Sequence, residues 1–190
     1  VLISGSGSNM AALIAAAARP DYPADIVLVV SNRPEAGGLA KAAAAGVEAL
    51  SLDHRPFGQD RLAFEQALDA ALMERQIAFV ALAGFMRVLT PWFVNRWVGR
   101  MVNIHPSLLP KHRGLDTHRR AIEAGDAVHG CTVHWVYTEL DAGDVIASRQ
   151  VPVLADDDAA SLAARVLVAE HGLYPEALAQ AVGAVRSSRD

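Results

Sequence analysis

Short apolar, β-branched runs alternate along the first half of the chain with alanine-rich stretches whose apolar positions recur at helical spacing. Val1–Ser4, Ile26–Ser31, Val47–Leu52, Phe79–Ala83 and Met101–His105 read as parallel strands, with helices near Asn9–Arg19, Gly38–Ala45, Asp60–Arg75 and Pro91–Trp97 between them. Strand and helix in strict alternation predict an α/β fold, a doubly wound and mostly parallel sheet. The second half changes character. Cys131–Tyr137 and Val145–Val153 flank a short turn and predict an antiparallel pair, and a helix from Ala159 to Ala181 closes the chain. No repeat, low-complexity tract or linker divides the 190 residues, so a single domain over 1–190 is expected.

The fifth strand ends in Asn103-Ile104-His105-Pro106. Residues two apart on a strand share a face, so an amide and an imidazole project together where the sheet opens to solvent. Such a pair can polarise a carbonyl oxygen and handle a proton at one centre, provided a third group orients the ring. Asp141 and Asp144, in the turn Glu139-Leu140-Asp141-Ala142-Gly143-Asp144, both qualify as that group by chemistry. A carboxylate there would favour the protonated ring. Spacing alone equally fits an ordinary satisfied Asn–His pair.

The first strand turns into Gly5-Ser6-Gly7-Ser8-Asn9, a small-residue loop opening a helix, where backbone N–H groups can cradle a phosphate. Met10 replaces the third glycine of a dinucleotide fingerprint, Ser31-Asn32 supplies no acidic residue after the second strand, and no P-loop lysine is present. Nicotinamide and nucleoside triphosphate readings are therefore disfavoured, and a capped strand-to-helix turn is the bland alternative. His105, His112, His118, His129 and His134 crowd one stretch without H-E-x-x-H spacing, so no metal site is expected. With 17 basic and 21 acidic residues and a net charge of −4, the chain has no cationic excess for nucleic acid. No apolar run reaches membrane-span length, and the single Cys131 fits a cytoplasmic protein.

The strings LAGFMRVLTPWFV, GRMVNIHPSLLPKHRGLDTHRRAIEAGD, HGCTVHWVYTELDAGDVI and VLISGSGSN together resemble the folate-dependent phosphoribosylglycinamide formyltransferases of purine biosynthesis, over nearly the whole chain. The resemblance implies a Rossmann-like fold and transfer of formyl from 10-formyltetrahydrofolate to glycinamide ribonucleotide. It puts the catalytic roles on Asn103, His105 and Asp141, choosing Asp141 over Asp144, and the phosphate on Gly7, Ser8 and Asn9. Glu170, in Glu170-His171-Gly172-Leu173-Tyr174-Pro175, would read the ribose hydroxyls. Met86, Arg87, Val88 and Leu89, with Asn103, would hold the pterin, and Arg61 the folate tail. Leu89, Val94 and Met101 are expected beside Met86 as walls of that site. Without the resemblance, the segment after the fourth strand would read as core and Glu170 as an exposed helix charge.

The partners so implied are small molecules, with no nucleic acid or membrane, and a homodimer is left open. Methionyl-tRNA formyltransferase and formyltetrahydrofolate hydrolase share the implied trio but carry an extra C-terminal or N-terminal domain, for which 190 residues leave no room. A phosphate-ligand binding module without catalysis is the alternative from another class.

Overall fold

The computed structural model describes residues 1–187. Seven strands form one sheet: β1 (Leu2–Ile3), β2 (Leu28–Ser31), β3 (Glu48–Ser51), β4 (Val80–Leu82), β5 (Met101–His105), β6 (Val128–Trp135) and β7 (Val145–Pro152). Their spatial order is β3-β2-β1-β4-β5-β6-β7. β1 to β5 run parallel, and β6 is antiparallel to both β5 and β7. The sequence predicts the β6–β7 reversal, and the structure adds a second one at β5–β6.

Six helices cover the sheet: α1 (Ser8–Ala17), α2 (Gly37–Ala44), α3 (Arg61–Glu74), α4 (Pro91–Arg96), α5 (Thr117–Glu123) and α6 (Ala159–Ser187). α3 begins where the Asp60 carboxylate accepts from the Ala63 N–H at 2.9 Å, satisfying one of the first-turn donors. α4 begins with Pro91, whose missing N–H costs nothing there. α6 runs six residues past the predicted end and keeps an apolar stripe from Leu162 to Val182 against the sheet. The prediction lacks α5 and a 3-10 turn at Arg55–Phe57.

Alternate residues of each strand feed two cores. Ile3, Val29, Val102, Ile104, Cys131 and Val133 pack with α1, α5 and α6 on one face. Leu2, Val30, Val80, Leu82 and Met101 pack with Phe64, Leu68, Phe93, Val94 and Trp97 of the α3–α4 side on the other. Burial of each large apolar side chain contributes about 1.5–3 kcal/mol before entropy is counted. Val94 and Met101, expected from the sequence as walls of a ligand site, are 3% and 0% exposed and form part of this core. The Tyr174 hydroxyl of α6 donates to the Leu82 carbonyl at 2.8 Å, tying the last helix to the carboxyl end of β4.

Candidate active site

Strand order reverses between β1 and β4, and in open α/β sheets the crevice beyond the carboxyl ends at such a point is where ligands bind. A cleft of about 300 Å³ lies there, lined by Ser4 to Asn9 after β1, Arg33 after β2, and Ala83, Gly84 and Met86 after β4. One hydroxyl fastens all three strand ends. Ser4 Oγ donates to Asn32 Oδ1 at 2.5 Å and accepts from the Met86 N–H at 2.8 Å.

Gly7 holds a left-handed backbone, with φ of 69°, at the start of α1. A Cβ on it would stand 2.8 Å from Gly38 Cα, so the loop and the α2 terminus can touch only as two glycines. Gly5 has nothing within 4 Å of its own Cβ position. The loop donors expected from Gly7, Ser8 and Asn9 thus rim an open cleft. Asn9 also reaches α6: its Nδ2 donates to Glu170 Oε2 at 2.7 Å, while its Oδ1 is buried without a partner. Glu170 is only 6% exposed, which overturns the reading of it as a surface charge, and burial raises its pKa above the ordinary carboxylate range.

Asn103 and His105 alternate with Val102 and Ile104, so both point to the α3–α4 face of β5, as their spacing predicts. His105 Nδ1 lies 3.5 Å from Asp141 Oδ2. Its Nε2 lies 3.1 Å from the His112 carbonyl, which can only accept, so Nε2 carries a hydrogen. Asp141 sits in a left-handed turn residue, φ 50°, and Asp141 Oδ2 also accepts from the Gly114 N–H at 2.9 Å. His105 and the Asp141 side chain are both nearly buried. Asp144 instead accepts from the Tyr137 hydroxyl, so geometry as well as resemblance separates the two carboxylates.

The segment after β4 presents Met86 and Val88 to solvent, with Arg87 and Leu89 half-buried. α3 grips this segment at three points. Arg61 Nη1 donates to the Val88 carbonyl at 3.3 Å, Arg87 stacks over the Phe64 ring at 4.9 Å, and buried Glu65 accepts from both the N–H and the hydroxyl of Thr90.

Residues 1–178 match the family described as Formyl transferase. The chain belongs to the formyl transferase family. It is 46% identical over 178 residues to the human trifunctional purine biosynthetic protein adenosine-3, covering 94% of this chain and 18% of that protein. The chain therefore spans less than a fifth of the trifunctional relatives' length. Phosphoribosylglycinamide formyltransferase of Escherichia coli K12 is 45% identical over 175 residues, 92% of this chain and 82% of that one. The solved structure of phosphoribosylglycinamide formyltransferase from Brucella melitensis superposes with a TM-score of 0.90 at 50% identity, covering 95% of this chain and 93% of the other.

Three features of this formyl transferase lie beyond the sequence reading. Ser4 lines the cleft and is held from behind by buried Asn32, yet neither belongs to a spacing that marks a site. Glu65 supports the 86–90 segment from a helix that reads only as amphipathic. His134 faces Asn103 across the β5–β6 ladder, a pairing that depends on register and carries no local signal. Among the described residues, no group of three or more His, Cys, Asp or Glu is arranged as metal ligands, and no helix is long and apolar enough to cross a membrane.

Proposed function

We propose that this chain, acting as one formyltransferase domain, transfers the formyl group of 10-formyltetrahydrofolate to the amine of glycinamide ribonucleotide in purine biosynthesis. The observation that carries the reading is the convergence of Asn103, His105 and Asp141 at the carboxyl end of β5, beside a small-residue loop at the switch point of the sheet. The names of the Escherichia coli and Brucella melitensis relatives supply the substrate.

In this reading the Gly5–Asn9 backbone N–H groups hold the phosphate and Glu170 accepts from the ribose hydroxyls. A carboxylate is acceptor-only, which suits a vicinal diol. The orphaned Asn9 Oδ1 is an acceptor that a ligand O–H or N–H would satisfy. The exposed apolar side chains Met86 and Val88 and the backbone of 86–89 offer a flat heteroaromatic ring a surface, with Arg61 toward the folate tail.

Formyl folate supplies an already activated carbonyl carbon. Attack by the amine forms one C–N bond, and negative charge grows on the formyl oxygen. Asn103 Nδ2 and His105 Nε2 donate to that oxygen, His105 exchanging the His112 carbonyl for it. Asp141 stabilises the imidazolium, and a proton passes from the attacking amine to the departing folate nitrogen as the second C–N bond breaks.

Incubation with 10-formyltetrahydrofolate, with and without glycinamide ribonucleotide, tests this by folate absorbance. Folate release that requires the ribonucleotide is expected. Release without it would make the chain a hydrolase, and no release under either condition would make it a binding module.

A further inference from the structure

His134 carries a buried imidazole that the mechanism above does not use. It lies at the β5–β6 register position opposite Asn103, next to an irregularity in the β6–β7 ladder at Val133/His134. Bulges of this kind re-aim a side chain. Its Nδ1 is 2.8 Å from its neighbour's carbonyl, that of Trp135, and its Nε2 is 3.2 Å from Asn103 Nδ2.

We infer that His134 is a positioning residue that fixes which end of the Asn103 amide faces the reacting carbonyl. The argument rests on hydrogen-bond polarity. A carbonyl can only accept, so Nδ1 of His134 carries the ring hydrogen, and in the neutral ring Nε2 is left as an acceptor. An acceptor at that point selects the amide nitrogen of Asn103 and rejects its oxygen. Burial lowers the pKa of His134, which keeps the ring neutral although Asp141 Oδ1 is 3.8 Å away.

Among the described residues this is the single hydrogen bond made by the Asn103 side chain. Without it, the amide can turn end over end and present its oxygen to a developing oxyanion, which repels. With it, one N–H points at His134 and the other is free for the formyl oxygen.

Gly143 shows how the arrangement is kept. A Cβ there would fall 1.6 Å from the Trp135 carbonyl oxygen and 3.3 Å from His134 Nδ1. The turn that presents Asp141 therefore packs its backbone against the very carbonyl that sets the His134 tautomer. The glycine of Leu140-Asp141-Ala142-Gly143 is needed for that approach.

The inference rests on the proposed role of Asn103, and a double-mutant cycle separates the two. His134→Leu removes the acceptor, His134→Gln offers a carbonyl oxygen in roughly the place of Nε2, and Asn103→Ala removes the donor. His134→Leu is expected to lower kcat about tenfold to a hundredfold, with KM for both substrates changed less than about twofold. His134→Gln should recover most of that loss, and His134→Leu in the Asn103→Ala background should cost nothing further. Melting temperatures of all variants report folding. Normal kcat in His134→Leu, losses that add in the double variant, or a Gln variant as slow as the Leu variant with its fold intact would each overturn the inference. Normal kcat in Asn103→Ala would overturn the role of Asn103 itself and the inference with it.

Discussion

The backbone of His112 caps the ring of His105: the imidazole Nε2–H points at the His112 carbonyl, 3.1 Å away, and the His112 ring is itself held by Asp126 at 2.7 Å. The loop that covers His105 is thus tethered outside the site. Gly114 in the same loop donates to Asp141, so opening it frees both members of the pair at once.

Asp126 also accepts from Lys111 Nζ at 2.8 Å, and the hydrogen bonds from His112 and Lys111 hold its pKa below the ordinary carboxylate value. Asp126→Ala should release residues 111–114 while leaving the sheet intact. Hydrogen exchange is expected to speed up at those amides and to stay unchanged in β4 and β5, with a stability loss of about 1–3 kcal/mol. Unchanged exchange at 111–114 would show that the tether does not hold the loop.

The two loop glycines should respond differently. Gly7→Ala places a Cβ against Gly38 on a left-handed backbone, so it should lower stability by about 1–3 kcal/mol as well as weaken ribonucleotide binding. Gly5→Val meets no protein atom near its Cβ, and its bulk enters the cleft. It should melt like the parent chain, bind the ribonucleotide at least tenfold more weakly, and bind folate normally. Calorimetry with each ligand checks this, and equal losses for both ligands in Gly5→Val would remove the phosphate from the loop.

Glu170 is an acid whose pKa is raised by burial, so the native state holds its proton more tightly than the unfolded chain. Stability from this group is full below the ordinary value of 4.5 and falls as pH rises through the elevated one. Glu170→Gln should therefore raise the melting temperature at pH 7 and have little effect below pH 4. The same change should raise KM for glycinamide ribonucleotide by about tenfold to a hundredfold, the worth of charge-assisted bonds to the diol, and leave the folate KM unchanged. A ribonucleotide lacking both hydroxyls should not distinguish the variant from the parent.

His129 shifts the other way. Burial, with His118 and His112 beside it, lowers its pKa from 6.5 to about 4, against weaker opposing effects of the Pro106 carbonyl and Asp126. The native ring stays neutral while the unfolded one charges, so its contribution is full above 6.5 and is lost as pH falls from there to about 4. His129→Asn can keep a donor for Pro106 without a titrating ring. Its melting temperature should fall less steeply across that window, measured by scanning calorimetry.

Much of this was legible in the chain because strands β1 to β5 are short apolar runs whose alternation with helices dictates a doubly wound sheet. Asn103 and His105 share a face for the same reason of period two. α5 was not legible: Thr117–Glu123 is largely polar, with only Thr117 and Ala121 buried, and gives no apolar period. The pairing of Asn103 with His134 was equally hidden, because it is a property of strand register across 31 residues. Glu65 and Ser4 carry no sequence signal, since each satisfies a backbone donor far away in the chain, that of Thr90 or of Met86.

The antiparallel reversal at β5 has a consequence for folding. The parallel strands β1 to β5 bury Leu2, Val30, Val80, Leu82 and Met101 against α3 and α4 without help from β6 and β7. The β6–β7 hairpin closes on the edge that β5 leaves open, bringing His134 and Asp141 with it. Local opening of that hairpin would disassemble the reacting centre while the α3–α4 core persists. In a denaturant titration, catalysis should then be lost ahead of the tryptophan signal of Trp97, which lies within that surviving half.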